Sequence, residues 1–513
     1  RYRRKILDKR KGIINVSVSI FFRFFMLIGS ILVRHFLILH IGNEVNGLDS
    51  LYTSLIGFLS VAELGVGSAI TFCMYKPIVE HDDAKVAALY QLFTKSYLII
   101  GAIMLVVGVG LIPFLPFLAK DYVELNVGLG FTFFLMLFSI VLSYVFSAKT
   151  SLINAYKNNY VTTTISSLGM ILQYALQILA IIVTESFVAY LVCRIVAMAF
   201  QWAATELYSR RHYKEILKHG KESVDKETKK EIVNKVKALF MHRIGGILVN
   251  SADSIIISAF IGVVVLGKYS NYSAIAVSMS SVLVLVFTPL TSIIGHTYIS
   301  EREKTEQYFQ WFYFLNFVLG VVFFIGYYAV IDDLVMILFG NNLRLSKSVS
   351  FVITVNYFVQ FMRQATLLFR DATGTFYNDR WKPLFEGLLN VILSITLVKI
   401  LEGVGGDELG VVGVIAATIV TNLTICHIVE PYVLYKYAFQ KPVKKHIFLN
   451  YIYILVFVIG VLATSALMRT YENSWIELLV NGLLSVGISA VIIIVTTLFN
   501  KSARHRIKNK LKK

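Results

Sequence analysis

Long apolar runs, separated by short polar breaks, follow one another along almost the whole chain. They fall at about 13–39, 47–75, 91–114, 127–148, 161–183, 187–207, 239–261, 269–295, 309–331, 347–369, 381–401, 411–435, 447–468 and 476–498, each near the length that spans a bilayer as a helix. Lipid offers no partner to backbone polar groups, so a segment of this kind is predicted to be helical. A transmembrane barrel would show short alternating segments, and these blocks do not alternate. The pattern predicts an all-α, polytopic membrane protein with about fourteen transmembrane helices.

Composition agrees. Of 513 residues, 57% are hydrophobic and 16% charged, and the mean hydropathy is +0.69. Seven prolines are few for this length, which predicts long uninterrupted helices. The first long block lacks a small-residue cleavage site and reads as a span rather than a cleaved signal.

Charge adds orientation. The net charge is +18. Seven Lys and Arg lie in Arg1–Gly12, ten in Tyr208–Ala238 and seven in Asn500–Lys513. Fourteen spans place all three stretches on one side. About 38 of the 49 basic residues fall there and about six on the other side. This predicts cytoplasmic termini and contact with anionic headgroups. Orientation accounts for the basic tail, so no nucleic-acid partner is expected. Within the linker, residues 223–237 are predicted to form a surface helix with i,i+4 pairs such as Asp225 to Lys229.

The outward loops are short. The longest, Asp332–Lys347, has about sixteen residues, too few for a catalytic domain. There is no phosphate-binding G-x-x-x-x-G-K-[ST], no H-E-x-x-H and no G-x-S-x-G. Cys73, Cys193 and Cys426 lie in or beside apolar blocks without metal or redox spacing. No enzyme activity, metal or organic cofactor is expected.

A repeat emerges at a shift of 220 residues. Ile41, Gly42, Val45, Gly47, Ser50 and Tyr52 match Ile261, Gly262, Val265, Gly267, Ser270 and Tyr272, and Arg23 matches Arg243, as Asn158 matches Asn378. Six spans separate the copies, so both run the same way through the bilayer. The predicted organisation is an N-terminal lobe (1–207, spans 1–6), a basic cytoplasmic linker (208–238) and a C-terminal lobe (239–435, spans 7–12). Residues 436–513 add spans 13 and 14 and a basic tail. Two parallel six-helix lobes imply a substrate path between them and alternating access; the bland reading is a duplication without mechanistic weight.

Ionisable residues inside spans are expensive and mark candidate sites. The cations are Arg23, Arg34, Arg194, Arg243 and Arg363; the anions are Glu63, Asp253 and Glu386. Arg23 and Arg34 are three helical turns apart, hence on one face and about 16 Å apart in depth. Arg34, Arg243 and Arg363 lie within snorkelling reach of an interface, whereas Arg23 and Arg194 are near mid-depth. A cavity lined by these arginines would take an anionic substrate, because guanidinium forks suit phosphate and carboxylate oxygens. Glu63 and Asp253 fit either a coupling proton or sodium ion or an ion-pair partner that locks two helices. His242 and His427 read as packing residues.

Several stretches carry a family resemblance: Gly47-Leu48 through Tyr52, Glu63-Leu64-Gly65-Val66-Gly67-Ser68-Ala69, Asn154-Ala155-Tyr156-Lys157-Asn158-Asn159-Tyr160, and Gly410 to Thr418 opening span 12. In this order on a fourteen-span frame, the chain resembles the Wzx-type polysaccharide flippases of the multidrug/oligosaccharidyl-lipid/polysaccharide (MOP) exporter superfamily, along essentially its whole length. The resemblance implies a transporter of the bacterial cytoplasmic membrane. It would flip an undecaprenyl-pyrophosphate-linked oligosaccharide repeat unit to the outer leaflet for capsule or exopolysaccharide synthesis. It also implies a cationic lumen, for which Arg23, Arg34, Arg194, Arg243 and Arg363 are the candidates, coupling to protons or sodium, and pathway glycosyltransferases and a polymerase as partners. A teichoic-acid or peptidoglycan-precursor flippase, a multidrug extruder, a membrane-embedded glycan polymerase and a structural scaffold are the competing readings.

Overall fold

The computed structural model describes residues 21–22, 25–63, 65–122, 128–218, 223–287 and 290–500, with side chains 62, 237–245, 247–250, 285–287, 292–293 and 376 outside the description. Every described element is helical. In unit 1 these are α1 (Phe25–His40), α2 (Asn43–Leu59), α3 (Val66–Glu80), α4 (Asp83–Leu111), α5 (Leu129–Ala155), α6 (Asn159–Thr184) and α7 (Phe187–His212). Helix α8 (Lys226–Ile256) runs from the linker into the second repeat. Then follow α9 (Val263–Phe287), α10 (Leu290–Ser300), α11 (Arg302–Phe339), α12 (Lys347–Met362), α13 (Gln364–Thr373), α14 (Lys382–Gly405), α15 (Asp407–Thr421), α16 (His427–Val433), α17 (Lys444–Leu467) and α18 (Ser474–Phe499).

Nine helices among the described residues are each long and apolar enough to cross a bilayer. The other five apolar blocks, the first, second, seventh, eighth and tenth, fall on helices that are interrupted or described in part. The protein is a multi-pass α-helical membrane protein. Uninterrupted helices were expected from the scarcity of proline, and several spans depart from that. The second block breaks between α2 and α3 at a 3₁₀ turn, Ser60–Glu63, followed by Gly65 in the left-handed region (φ 74°). The tenth block breaks at Arg363, between α12 and α13. The seventh and twelfth carry π-helical turns at Ile257–Ile261, Asn422–Cys426 and Leu434–Phe439. Wide turns and glycine, rather than proline alone, interrupt these helices.

The chain divides into two compact units, Arg1–Ile247 with Gly262–Val264, and Leu248–Ile261 with Val265–Lys513. In unit 1, α5 packs against α4 and α7, and α6 pairs with α7. In unit 2, α14 and α15 form a tight helical hairpin. A Cβ at Gly413 would stand 2.6 Å from the Leu397 carbonyl oxygen, so only glycine lets the two backbones approach so closely. The core of unit 2 centres on α11, with Phe309, Phe317 and Phe324 fully buried. Phe358 and Phe457 stack at 3.5 Å beside them. Helix α18 lies along α11, so the last two spans belong to this unit.

The 220-residue repeat is visible in local geometry. Gly42 (φ 122°) and Gly262 (φ 143°) hold the same rare conformation, each one residue ahead of a helix. Tyr52 and Tyr272 are both fully buried and hydrogen-bonded across their own unit, to Thr132 and to Asp332. In the linker, Asp225 caps α8 through Thr228 and pairs with Lys85 at 3.6 Å, which replaces the expected partnership with Lys229. Those hydrogen bonds hold its carboxyl below the usual range.

Candidate functional site

Three polar clusters are embedded among the apolar helices. The first lies in unit 1. Arg194, two turns into α7, directs Nη2 to both oxygens of Asp49 on α2, at 2.9 and 3.1 Å, and donates to the Tyr190 hydroxyl at 3.1 Å. Arg34 on α1 acts on the same Asp49 and Tyr190. Among the described residues, two guanidinium groups therefore act on the Asp49 carboxylate. The Arg194 Nε is buried and has no hydrogen-bond partner among the described residues. A buried guanidinium N–H without a partner carries an energetic cost that an acceptor oxygen would relieve. Asp49 is not a sequence candidate; it lies near the start of the second apolar block, where a charge is ordinary, and nothing in the sequence pairs it with Arg194.

The second cluster closes on itself. Arg363, at the break between α12 and α13, binds Glu430 through Nε and Nη2 at 3.2 and 2.6 Å, and reaches Glu386 at 3.3 Å and Asn422 at 2.6 Å. Lys382 binds Glu386 at 2.8 Å and Glu430 at 2.5 Å. Two cations meet two anions, all at least 85% buried at the side chain. Arg363 thus contributes no net charge here. In the sequence Arg363 and Glu386 stand apart with nothing to join them, and Lys382 and Glu430 sit near span ends, where charge is ordinary.

The third surrounds Asp253, on the stretch of α8 that belongs to unit 2 and only 9% exposed. The Thr418 hydroxyl on α15 lies 3.0 and 3.2 Å from its two oxygens, and Asn390 Nδ2 on α14 donates to that hydroxyl at 2.8 Å. No cation pairs with Asp253 among the described residues. Two further oxygens on the Asn390 face of α14, Asn390 Oδ1 and Ser394 Oγ, are buried without hydrogen-bond partners among the described residues. A buried carboxylate held only by a neutral hydroxyl can carry a proton or attract a hard cation.

Glu63, in the 3₁₀ turn, accepts from the Tyr97 hydroxyl at 2.7 Å and the Tyr144 hydroxyl at 3.4 Å. His427 is satisfied as a packing residue, between the Val359 carbonyl and Asn450. Arg23 and the Arg243 side chain lie outside the described residues. Among those described, no group of three or more His, Cys, Asp or Glu converges on a metal position.

Comparison with known proteins bears on the fold. No family model matches the chain, and no curated protein does. Among solved structures, it is similar to the lipid II flippase MurJ in an inward closed conformation, with a TM-score of 0.65 at 11% identity over 95% of this chain and 98% of that one. It is also similar to an inward-facing multidrug resistance MATE family transporter of the MOP superfamily (TM-score 0.58, 15% identity, 80% and 96% covered). A variant of the Vibrio cholerae MATE transporter VcmN gives a TM-score of 0.52 at 10% identity, over 84% and 100%. The chain shares the fold of these structures.

Proposed function

We propose that this protein is a transporter of the bacterial cytoplasmic membrane. It flips a polyprenyl-pyrophosphate-linked oligosaccharide repeat unit to the outer leaflet, by alternating access of its two repeats, with both termini in the cytoplasm. The observation that carries the reading is the Arg34–Arg194 pair sharing the single carboxylate of Asp49, with Arg194 Nε left over. An intramembrane cluster that brings two guanidinium groups to one carboxylate favours an anionic headgroup, and pyrophosphate supplies oxygens at the spacing a guanidinium fork takes. A multidrug extruder of cationic compounds needs the opposite sign there. Arg363 is left out of the substrate path, because Glu386 and Glu430 already neutralise it.

Coupling is assigned to Asp253, with Thr418 and Asn390 behind it, as the group that takes up a proton or sodium. Neutralising Asp253 would change the hydrogen-bond chain that links α8, α15 and α14, so that ion binding biases the shape of unit 2. A peptidoglycan-precursor flippase is the second reading, and the likeness to the structure named lipid II flippase MurJ speaks for it.

The test is flipping in proteoliposomes. Wild-type protein is expected to translocate a fluorescent polyprenyl-pyrophosphate-linked sugar. Arg194→Ala should lower the rate at least about tenfold, in line with a charged hydrogen bond of about 1.5–3 kcal/mol. Equal rates in wild type, Arg194→Ala and Arg34→Ala would overturn the substrate assignment.

A further inference from the structure

A pocket of about 550 Å³ opens in unit 1 where the apolar helices end. Its walls come from the turn after α5, with Tyr156 and Asn158, and from the end of α7 and the short helix Lys214–Lys218 that follows it. The turn is set by Lys157 in the left-handed region (φ 62°). Tyr156 and Tyr213 lie ring to ring at 5.0 Å, and Tyr208 stacks on His212 at 4.1 Å. Asn158 Nδ2 donates to the Tyr213 hydroxyl at 3.0 Å. Burial pushes the Tyr213 phenol up to about 12, so it keeps a proton to donate. The His212 ring nitrogen Nδ1 lies 3.0 Å from the Tyr208 carbonyl and donates to it, which leaves Nε2 available.

The charges are divided. Arg211 and Lys214 are exposed and form no ion pair among the described residues. Asp83 and Glu215 are carboxylates of the same pocket. Aromatic walls, two carboxylates and two uncommitted cations make a mixed surface. The cations match a phosphate. The carboxylates and phenols match hydroxyl groups, and tyrosine rings suit the apolar face of a sugar or cyclitol. The site also stands about 25 Å along α7 from Arg194, by helical rise, so it is separate from the intramembrane cluster. Tyr, Arg and Lys at the ends of spans mark the membrane–water interface.

We propose that this pocket binds a phosphorylated sugar or polyol, presented on a lipid headgroup or free in solution. The site lies on the face that the basic residues assign to the cytoplasm. The inference goes beyond the transport reading, since it uses none of the residues assigned to substrate passage or coupling and is measured by binding alone.

Full-length protein in nanodiscs would be titrated with glucose 1-phosphate, and in parallel loaded with short-chain phosphatidylinositol, with phosphatidylcholine and free glucose as references. Bound species are counted by native mass spectrometry. Glucose 1-phosphate or phosphatidylinositol is expected to bind at least about tenfold tighter than its reference. The double variant Arg211→Ala/Lys214→Ala should remove that preference; both side chains are exposed, so the fold is retained. Asp83→Asn should weaken sugar phosphate relative to inorganic phosphate. Binding of both soluble and lipid probes assigns the phosphorylated head alone as the ligand, and binding of the lipid probe alone assigns a membrane headgroup. A double variant that binds like wild type, or no preference over the references, overturns the proposal.

Discussion

At the scale of single residues, the embedded charges differ in how they are neutralised, and that difference sets what each substitution does. Glu430 is almost fully buried and faces both Arg363 and Lys382. Glu430→Gln leaves two cations with one carboxylate. Breaking a buried pair in this way typically costs about 3–5 kcal/mol, so the variant should show a clear loss of thermal stability in detergent; an unchanged melting temperature would count against the cluster. Asp253 is the converse case, a carboxylate with only neutral donors among the described residues. Asp253→Asn removes the charge but keeps a hydrogen-bonding shape. It should fold normally and lose any sodium- or proton-dependent stabilisation, read as a flat melting temperature across a sodium titration and a pH series. A variant that still responds to both ions as wild type does would remove Asp253 from coupling. From sequence, Arg194 and Asp253 were visible as charges in the wrong solvent. Their partners Asp49 and Thr418 were not, because they are 145 and 165 residues away in the chain.

At the scale of elements, apolar periodicity identifies a span but says little about its continuity. The break at Ser60–Glu63 places Glu63 at a turn, beside Tyr97 and Tyr144. Its signal in the sequence is the glycine pair Gly65 and Gly67, which read equally well as a helix-packing motif. The hairpin of α14 and α15 offers a cleaner contrast. Gly413→Ala drives a methyl into the Leu397 carbonyl, whereas Gly403→Ala on α14 meets open space. The first should destabilise by about 1–3 kcal/mol through overpacking, and the second should be neutral or stabilising by about 0.5–1 kcal/mol. Thermal melts of the two variants check the pair; similar behaviour would mean the hairpin is looser than described.

At the scale of the whole molecule, the positive-inside asymmetry predicts that reporters fused to either end of the chain both report the cytoplasm; a periplasmic signal from the C-terminal fusion would change the number of spans. The apolar blocks alone determine an α-helical membrane protein, because backbone groups in lipid must be satisfied within each segment and length then counts crossings. The repeat is legible in residue identities, and two of them, Gly42 and Gly262, stand where the backbone takes a positive φ that few other residues adopt. What the tertiary structure decided is the state of each embedded charge. Arg194 keeps a spare donor, Arg363 is cancelled by two glutamates, and Asp253 is held by a neutral hydroxyl. Electrostatic energy in a low-dielectric interior depends on distances of a few ångströms between residues far apart in the chain, and spacing along a sequence does not carry that information.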